Sequence, residues 1–129
     1  ICMGLQLLFQ TGWEGGRNDG LGVFAGDVCR FECSDDLKVP HMGWNEVKWR
    51  KGSHVSEVLG EGAQDSHFFY FVHSYYVRPS DTSIVIAETN YGDSFCSGVS
   101  RGRLLATQFH PEKSQSVGMR LLKYFIDHI

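Results

Sequence analysis

Residues 104–129 read LLATQFHPEKSQSVGMRLLKYFIDHI, a stretch that passes from a strand-like run through a polar turn into a helix-like segment. The run from 104 to 109 is short and largely apolar, as in a sheet strand. Apolar side chains then recur at helical spacing from Ser114 to His128: Val117, Leu121, Leu122, Phe125 and Ile126. The chain is therefore expected to end as a strand, a turn and an amphipathic helix.

The middle of the chain resembles several strands separated by turn residues. Residues 23–31 and 44–49 alternate between apolar and polar side chains, and residues 67–73 form an aromatic and β-branched run suited to a buried strand. Residues 83–88 and 94–100 flank turn-forming residues, as in a hairpin. The spacing thus predicts a largely β middle.

The first residues resemble a helix. The leucine-rich sequence from Met3 to Gln10 lacks β-branched residues, and Gly12 is expected to end the helix, which places Cys2 at its N-terminus. Helix, strands and helix in this order predict an α/β sheet with an antiparallel extension, although the order also fits an α+β sandwich. We expect the 129 residues to form one domain.

Charge and composition exclude several classes of function. The net charge is -3 and no run of like charges could follow a phosphate backbone, so we expect no nucleic-acid partner. The longest apolar stretches, such as 68–72, fall far short of the roughly 20 residues that span a bilayer, so we expect no membrane association. Four cysteines among many core-forming residues do not suggest a disulfide scaffold, which indicates a reducing, cytoplasmic location.

The sequence predicts neither a metal site nor a bound cofactor. Cys29 and Cys33 have no second pair to complete a tetrahedral zinc site. The glycines at 15, 16, 20 and 22 lack the spacing of a phosphate-binding loop. Five histidines lack paired ligand spacing: His41, His54, His67, His73 and His128.

Cys2 is a candidate nucleophile. Ile1-Cys2-Met3-Gly4 supplies all but the first glycine of the Gly-x-nucleophile-x-Gly elbow, in which a sharp turn exposes the nucleophile. The positive end of a helix dipole favours thiolate over thiol, so we expect Cys2 to have a depressed pKa and to react faster than the other three cysteines. The alternative is a small buried hydrophobic residue.

His110 and Glu112 are candidate partners for this nucleophile. A histidine at the end of a strand faces the crevice where sites form in open α/β sheets. An imidazole accepts and returns a proton near neutral pH, and a carboxylate on its other nitrogen fixes the tautomer and stabilises the imidazolium. Pro111 keeps a helix from beginning before the pair is placed. The alternative is a surface histidine beside a solvated glutamate.

Four blocks in order, spanning nearly all of the chain, resemble the class I glutamine amidotransferases. They are CMGLQLLF at 2–9, VPHMGWNEV at 39–47, FYFVHSY at 69–75 and TQFHPEKS at 107–114. Within that class, the second and third blocks are peculiar to the glutaminase subunits of imidazole glycerol phosphate synthase, which serve histidine biosynthesis. The resemblance implies a three-layer, flavodoxin-like α/β fold, of which this chain would be the C-terminal part only.

The resemblance also implies a catalytic role for three residues. Cys2 would attack the side-chain amide of glutamine to form a thioester, His110 would shuttle the proton, and Glu112 would orient His110. The products would be glutamate and ammonia.

Further residues would hold the substrate glutamine, according to the same resemblance. The backbone N–H of Met3, beside Gly4, would be one oxyanion donor. Gln6 would help to hold the bound glutamine, and the segment His73-Ser74-Tyr75 would bind its amino-acid end.

The implied partner is a (β/α)₈-barrel synthase subunit, which would receive the ammonia in a heterodimer and make imidazole glycerol phosphate. Trp44, Tyr70 and Lys113 match positions on the surface that meets that barrel. Family members carry an N-terminal piece with the first strands of the sheet and the loop that donates the other oxyanion N–H. We therefore expect residues 1–129 to be a partial, N-terminally truncated glutaminase domain.

Two other interpretations remain open. Another class I amidotransferase, or a related cysteine hydrolase acting on γ-glutamyl bonds, would share Cys2, His110 and Glu112, although the segment around Trp44 argues against both. A catalytically incomplete fragment would keep the partner-facing surface and act only as a synthase-binding module.

Overall fold

A computed structural model describes residues 1–32, 37–59 and 66–129 of the chain. Cys33, considered above as a metal ligand, lies outside these residues. Within this part are three α-helices: α1 (Met3–Leu7), α2 (His54–Leu59) and α3 (Gln115–His128). It also holds nine strands: β1 (Phe9–Gly12), β2 (Asn18–Asp19), β3 (Phe24–Arg30), β4 (His41–Trp49), β5 (Ser66–His73), β6 (Tyr75–Pro79), β7 (Val85–Tyr91), β8 (Asp93–Arg101) and β9 (Leu104–Thr107).

Most elements lie where the apolar patterns predict them. The strands β3, β4 and β5 and the final helix α3 match the predicted segments to within about three residues. The predicted hairpin is also confirmed, because β7 and β8 pair antiparallel and Tyr91 lies opposite Asp93 at the turn. A strongly periodic or β-branched sequence was therefore enough to predict the position of these elements.

The predicted first helix, Met3 to Gln10, was too long. Helix α1 ends at Leu7, and the chain continues into β1, where Phe9 lies opposite Phe24 in a parallel pair. Phe9 is fully buried, so burial and pairing at this position outweigh its helix propensity. The predicted strand over 83–88 was displaced as well, because a 3₁₀ turn at Thr82–Ile84 precedes β7.

The strands form one sheet in the order β2-β1-β3-β6-β8-β7-β4-β5, with β9 beside β8. Within the described ranges β1 and β3 pair in parallel, and the other pairs are antiparallel. The pair β4–β5 is continuous from His41 opposite His73 to Lys48 opposite Ser66. This mixed sheet confirms the predicted α/β fold with a large antiparallel portion.

The sheet is covered on both faces. Phe95 and Cys96 are neighbours on β8 yet belong to different apolar clusters, as expected when successive side chains point to opposite faces. Leu59 of α2 and Leu121 of α3 lie in the first cluster, and Leu5 of α1 lies in the second. The helices thus flank the sheet in three layers. In the described part of the chain, no helix is both long and apolar enough to cross a membrane.

A buried pair of histidines joins β4 to β5. His73 Nδ1 lies 2.7 Å from the carbonyl oxygen of Tyr75, which can only accept, so His73 donates from Nδ1 and accepts at Nε2. His41 Nδ1 donates to His73 Nε2 at 2.8 Å, and Asn45 Nδ2 donates to His41 Nε2 at 3.1 Å. Burial lowers the pKa of each histidine to about 4, so both rings are neutral near neutral pH.

The histidine pair predicts that stability falls as the pH drops below about 6.5. In the unfolded chain each imidazole has its ordinary pKa of 6.5, so between pH 6.5 and 4 the unfolded state binds protons that the folded state does not. Each pKa unit corresponds to about 1.4 kcal/mol for one histidine. Urea unfolding between pH 7.5 and 4.5 should therefore give steadily lower midpoints.

Two variants test the assignment of this pH dependence. His41→Gln removes one titrating ring, so its unfolding midpoint should depend less on pH. His54, whose side chain is 88% exposed, is the matched control, and His54→Gln should keep the full dependence. Equal pH dependence in both variants would contradict a role for the buried pair.

Gly118 allows α3 to pack against the turn that carries His110. A Cβ at this position would lie 1.8 Å from the backbone oxygen of Pro111. Replacing a helical glycine by alanine normally stabilises a protein by about 1 kcal/mol. Here the clash with backbone should reverse the sign, so we expect Gly118→Ala to destabilise the fold by about 1–3 kcal/mol.

The measurement is the free energy of unfolding in urea. Ser116→Ala, an exposed substitution on the same helix, is the control and should not lower stability. A Gly118→Ala variant as stable as the parent would show that α3 does not depend on this close approach.

Candidate active site

Cys2 occupies a sharp, strained turn. Its backbone has φ 50° and ψ -106°, a conformation that side-chain-bearing residues rarely adopt and that clusters at functional sites. The N–H of Cys2 donates to the carbonyl of Thr107 at 2.7 Å, and the N–H of Gly4 donates to the carbonyl of Ile1 at 2.9 Å. The chain thus enters α1 through a turn of the kind predicted for a nucleophile elbow.

The sulfur of Cys2 lies among three polar groups. Sγ is 3.9 Å from the carbonyl oxygen of Val72, and Gln108 Nε2 donates to it at 3.5 Å. The N–H of Met3, the predicted oxyanion donor, also hydrogen-bonds the sulfur. These donors favour a thiolate, which is the form that attacks an amide carbon.

The predicted depression of the Cys2 pKa was nevertheless wrong. Burial raises the pKa of the Cys2 thiol above its ordinary value, against the lowering effect of the hydrogen bonds from Met3 and Gln108. The helix behind Cys2 is only five residues long, so its dipole is small. Desolvation therefore outweighs the dipole, and the thiol is protonated in this state.

His110 and Glu112 form the expected pair. His110 Nδ1 lies 2.7 Å from Glu112 Oε1 and donates to it. Nε2 is therefore the ring nitrogen that is left to accept a proton. Burial would raise the pKa of Glu112, but the hydrogen bond from His110 holds it below the ordinary value. The backbone of His110 is anchored on both sides, because its N–H donates to the carbonyl of Tyr70 at 2.9 Å and its own carbonyl accepts from Ser114 Oγ at 2.6 Å.

Cys2 and His110 converge on the end of β9. Thr107, the last residue of that strand, holds the backbone of Cys2, and His110 follows three residues later. Among the described residues, His110 Nε2 is buried without a hydrogen-bond partner, so no hydrogen bond joins it to the sulfur. A buried nitrogen left unpaired costs free energy and indicates a position that a reacting group or ligand would satisfy.

A cavity of about 340 Å³ opens at Cys2. It includes most of the substrate-binding residues predicted from sequence, and its lining is Cys2, Met3, Gln6, Glu14, Pro40, Val72, His73, Ser74 and Tyr75. Ser74 and Tyr75 reach it from the β5–β6 turn, and Gln6 reaches it from α1. Both nitrogens of His73 are already hydrogen-bonded, so this residue supports the cavity wall and has no free donor for a ligand.

Three polar residues near the site were not predicted from the sequence. Glu14 lines the cavity, Ser114 Oγ accepts from the N–H of Tyr70 at 3.0 Å, and Gln108 contacts the sulfur. Gln108 and Ser114 are fully buried polar residues. The sequence feature that could have indicated Gln108 is its place in a largely apolar segment, next to Phe109. A glutamine is unusual in a buried segment.

The three predicted partner-facing residues lie together on the exposed face of β4–β5. The rings of Trp44 and Tyr70 are 6.3 Å apart, and Lys113 Nζ lies 5.9 Å from the centre of the Tyr70 ring. Met42 and Phe68 share this face and are about 60% exposed. We refer to these five residues as the β4–β5 strip.

Two solved structures share the fold. A GMP synthase component from Thermoplasma acidophilum has a TM-score of 0.55 and 20% identity, over 79% of this chain and 47% of that one. A glutamine amidotransferase from Thermotoga maritima has a TM-score of 0.50 and 15% identity, over 79% of this chain and 40% of that one.

Curated relatives are closer in sequence. The imidazole glycerol phosphate synthase subunit HisH of Rhodopirellula baltica is 53% identical over 97% of this chain and 58% of its own length. The subunit of the same name in Syntrophotalea carbinolica is 48% identical over 98% of this chain and 62% of its own length. The chain thus spans about three-fifths of these relatives. The family model described as glutamine amidotransferase class-I matches residues 1–129, and the chain therefore belongs to the class I glutamine amidotransferases.

Proposed function

We propose that this chain carries the nucleophile-bearing part of a glutaminase, which hydrolyses glutamine to glutamate and ammonia. The observation that carries the proposal is the strained Cys2, whose sulfur opens into a cavity beside the strand end that bears the His110–Glu112 pair. Membership of the class I glutamine amidotransferases supports this reaction over other chemistry of a cysteine–histidine pair.

Each group has a step in the proposed reaction. Cys2 Sγ attacks the side-chain amide carbon of glutamine while His110 Nε2 takes the thiol proton. His110 returns that proton to the leaving nitrogen, so the C–N bond breaks, ammonia departs and a thioester remains. Water, deprotonated by His110, then attacks the thioester and releases glutamate and the free thiol. Glu112 keeps Nδ1 protonated and stabilises the imidazolium throughout.

The cavity offers groups for both ends of glutamine. The N–H of Met3, the residue after Cys2 on the cavity lining, would donate to the oxyanion of the tetrahedral intermediate. The amino-acid end would lie against Ser74 and Tyr75. Glu14, a carboxylate on the same lining, is suited to the substrate's ammonium group.

The proposed partner is a (β/α)₈-barrel synthase subunit, which would use the ammonia to make imidazole glycerol phosphate in histidine biosynthesis. The relatives are named as subunits of imidazole glycerol phosphate synthase, which supports assembly with another subunit of that synthase. The β4–β5 strip supports it physically, because exposed aromatic and methionine side chains beside a lysine resemble the composition of protein interfaces. Trp44, with 47% of its surface exposed, would be the anchor.

A synthase-binding module without turnover is the second candidate. It is favoured by the raised pKa of the Cys2 thiol and by the missing hydrogen bond from Cys2 to His110 Nε2. In that case the function of the chain would be to bind the synthase subunit through the β4–β5 strip.

Ammonia release from glutamine separates the two candidates. We expect release that increases when the barrel subunit is present, and Cys2→Ala should reduce it by about 1,000-fold or more because the nucleophile is lost. Cys29→Ala is the matched control, since Cys29 is also half-buried but lies on β3, away from the cavity. Binding to the barrel without any ammonia release would favour the module.

A substitution at Trp44 tests whether the β4–β5 strip binds the barrel subunit. Trp44→Ala should weaken association with the barrel subunit by about 30-fold, as expected for a central aromatic anchor worth about 2 kcal/mol. Met119→Ala, a change at a 61% exposed residue of α3, should leave the affinity unchanged. Titration calorimetry measures both, and equal affinities for the two variants would place the interface elsewhere.

A further inference from the structure

Gln108 is fully buried beside Cys2 and Gln6, two residues that line the cavity. Its side chain has a neighbour at each end, because Nε2 lies 3.5 Å from Cys2 Sγ and Oε1 lies 3.2 Å from Gln6 Nε2. Its backbone N–H is separately bound to the carbonyl of Ser97 at 2.9 Å. The Ser97 hydrogen bond therefore holds the backbone of Gln108, and the side-chain amide is free to contact Cys2 and Gln6.

The direction of these hydrogen bonds follows from one acceptor. The carbonyl oxygen of Tyr75 can only accept, and it lies 3.0 Å from Gln6, so the group that Gln6 presents is its NH₂. The same NH₂ reaches Gln108, so Gln108 presents its oxygen there. The amide of Gln108 must then turn its own NH₂ toward the sulfur of Cys2.

We propose that Gln108 is a positioning residue, which donates a hydrogen bond to the sulfur of Cys2 and fixes the amide orientation of Gln6. This inference rests on the proposed function, in which Cys2 is the nucleophile and Gln6 holds glutamine. Both N–H groups of Gln6 are used by Tyr75 and Gln108, so Gln6 Oε1 is left as the acceptor for an N–H of the substrate.

The side-chain amide of Gln108 links the proposed nucleophile, Cys2, to Gln6, the residue proposed to hold glutamine. A donor aimed at the sulfur stabilises the thiolate relative to the thiol, and hydrogen bonds to charged groups are stronger than those to neutral groups. The same amide would hold Gln6 in the orientation that accepts from glutamine. Gln108 thus acts through Cys2 and Gln6 without touching the substrate.

Gln108→Met tests the proposal, since methionine has a similar length and no donor. The measurement is the rate of Cys2 alkylation by iodoacetamide from pH 6 to about 11, a range that includes a raised midpoint, read by mass spectrometry of the Cys2 peptide. We expect the midpoint of the pH profile to rise by about one unit and the rate at pH 7.5 to fall about tenfold. Turnover is not needed, so this result is independent of whether the chain hydrolyses glutamine.

Two measurements separate this effect from loss of structure. Cys96 is buried and burial raises its pKa to about 12, so it should resist alkylation as long as the fold is intact. Ser66→Ala removes a different partly buried polar contact, the 2.6 Å hydrogen bond to Glu46, and should leave the Cys2 profile unchanged. An unshifted profile in Gln108→Met with Cys96 still protected overturns the proposal.

Gln6→Leu is the second variant and decides the outcome if Gln108→Met exposes Cys96. Without Gln6, the amide of Gln108 loses the donor that orients it, so the Cys2 midpoint should rise by a smaller amount. A Gln6→Leu profile identical to that of the parent, with Cys96 protected, would likewise overturn the proposal.

Discussion

The hydrogen bond from Cys2 N–H to the carbonyl of Thr107 joins the beginning of the chain to its last strand. The candidate site depends on it, because Cys2 comes from one end of the sequence and the His110–Glu112 pair from the other. At 2.7 Å the bond is short, and it holds Cys2 in a backbone conformation that costs free energy on its own. The sheet between the two ends provides the rigidity that maintains this strain.

Strand β5 connects this site to the exposed surface. The carbonyl of Tyr70 accepts from the N–H of His110, and the carbonyl of Val72 lies beside the sulfur of Cys2. The side chains of both residues point to the opposite face from Phe69 and Phe71, which are fully buried. The strand that presents Tyr70 on the β4–β5 strip thus also borders the backbone of His110 and the sulfur of Cys2.

Much of this arrangement could be predicted from the sequence. Helix α3 and strand β5 have strong periodic or aromatic patterns, and the motif around His110 places an imidazole and a carboxylate two residues apart. The length of α1 could not be predicted, because the leucines and glutamines around Phe9 favour a helix and only the pairing of Phe9 with Phe24 makes it a strand residue.

The role of Gln108 and the pKa of Cys2 were beyond sequence reasoning for a related physical reason. Both depend on what surrounds a side chain in three dimensions. A glutamine just after an apolar strand carries no sign of the sulfur 3.5 Å away, and a cysteine before a helix carries no sign of how deeply it is buried. The local sequence pattern predicts helices and strands through its periodicity. Desolvation and side-chain hydrogen bonds depend instead on contacts between residues that are distant in the sequence.

The protonated thiol is consistent with a site that stays inactive until it is filled. Desolvation raises the free energy of a thiolate, and the hydrogen bonds from Met3 and Gln108 do not offset that cost. His110 Nε2, buried and unpartnered among the described residues, makes no hydrogen bond to the sulfur in this state. In the proposed reaction that hydrogen bond must form before the proton moves, so deprotonation of the thiol would be coupled to attack on the substrate.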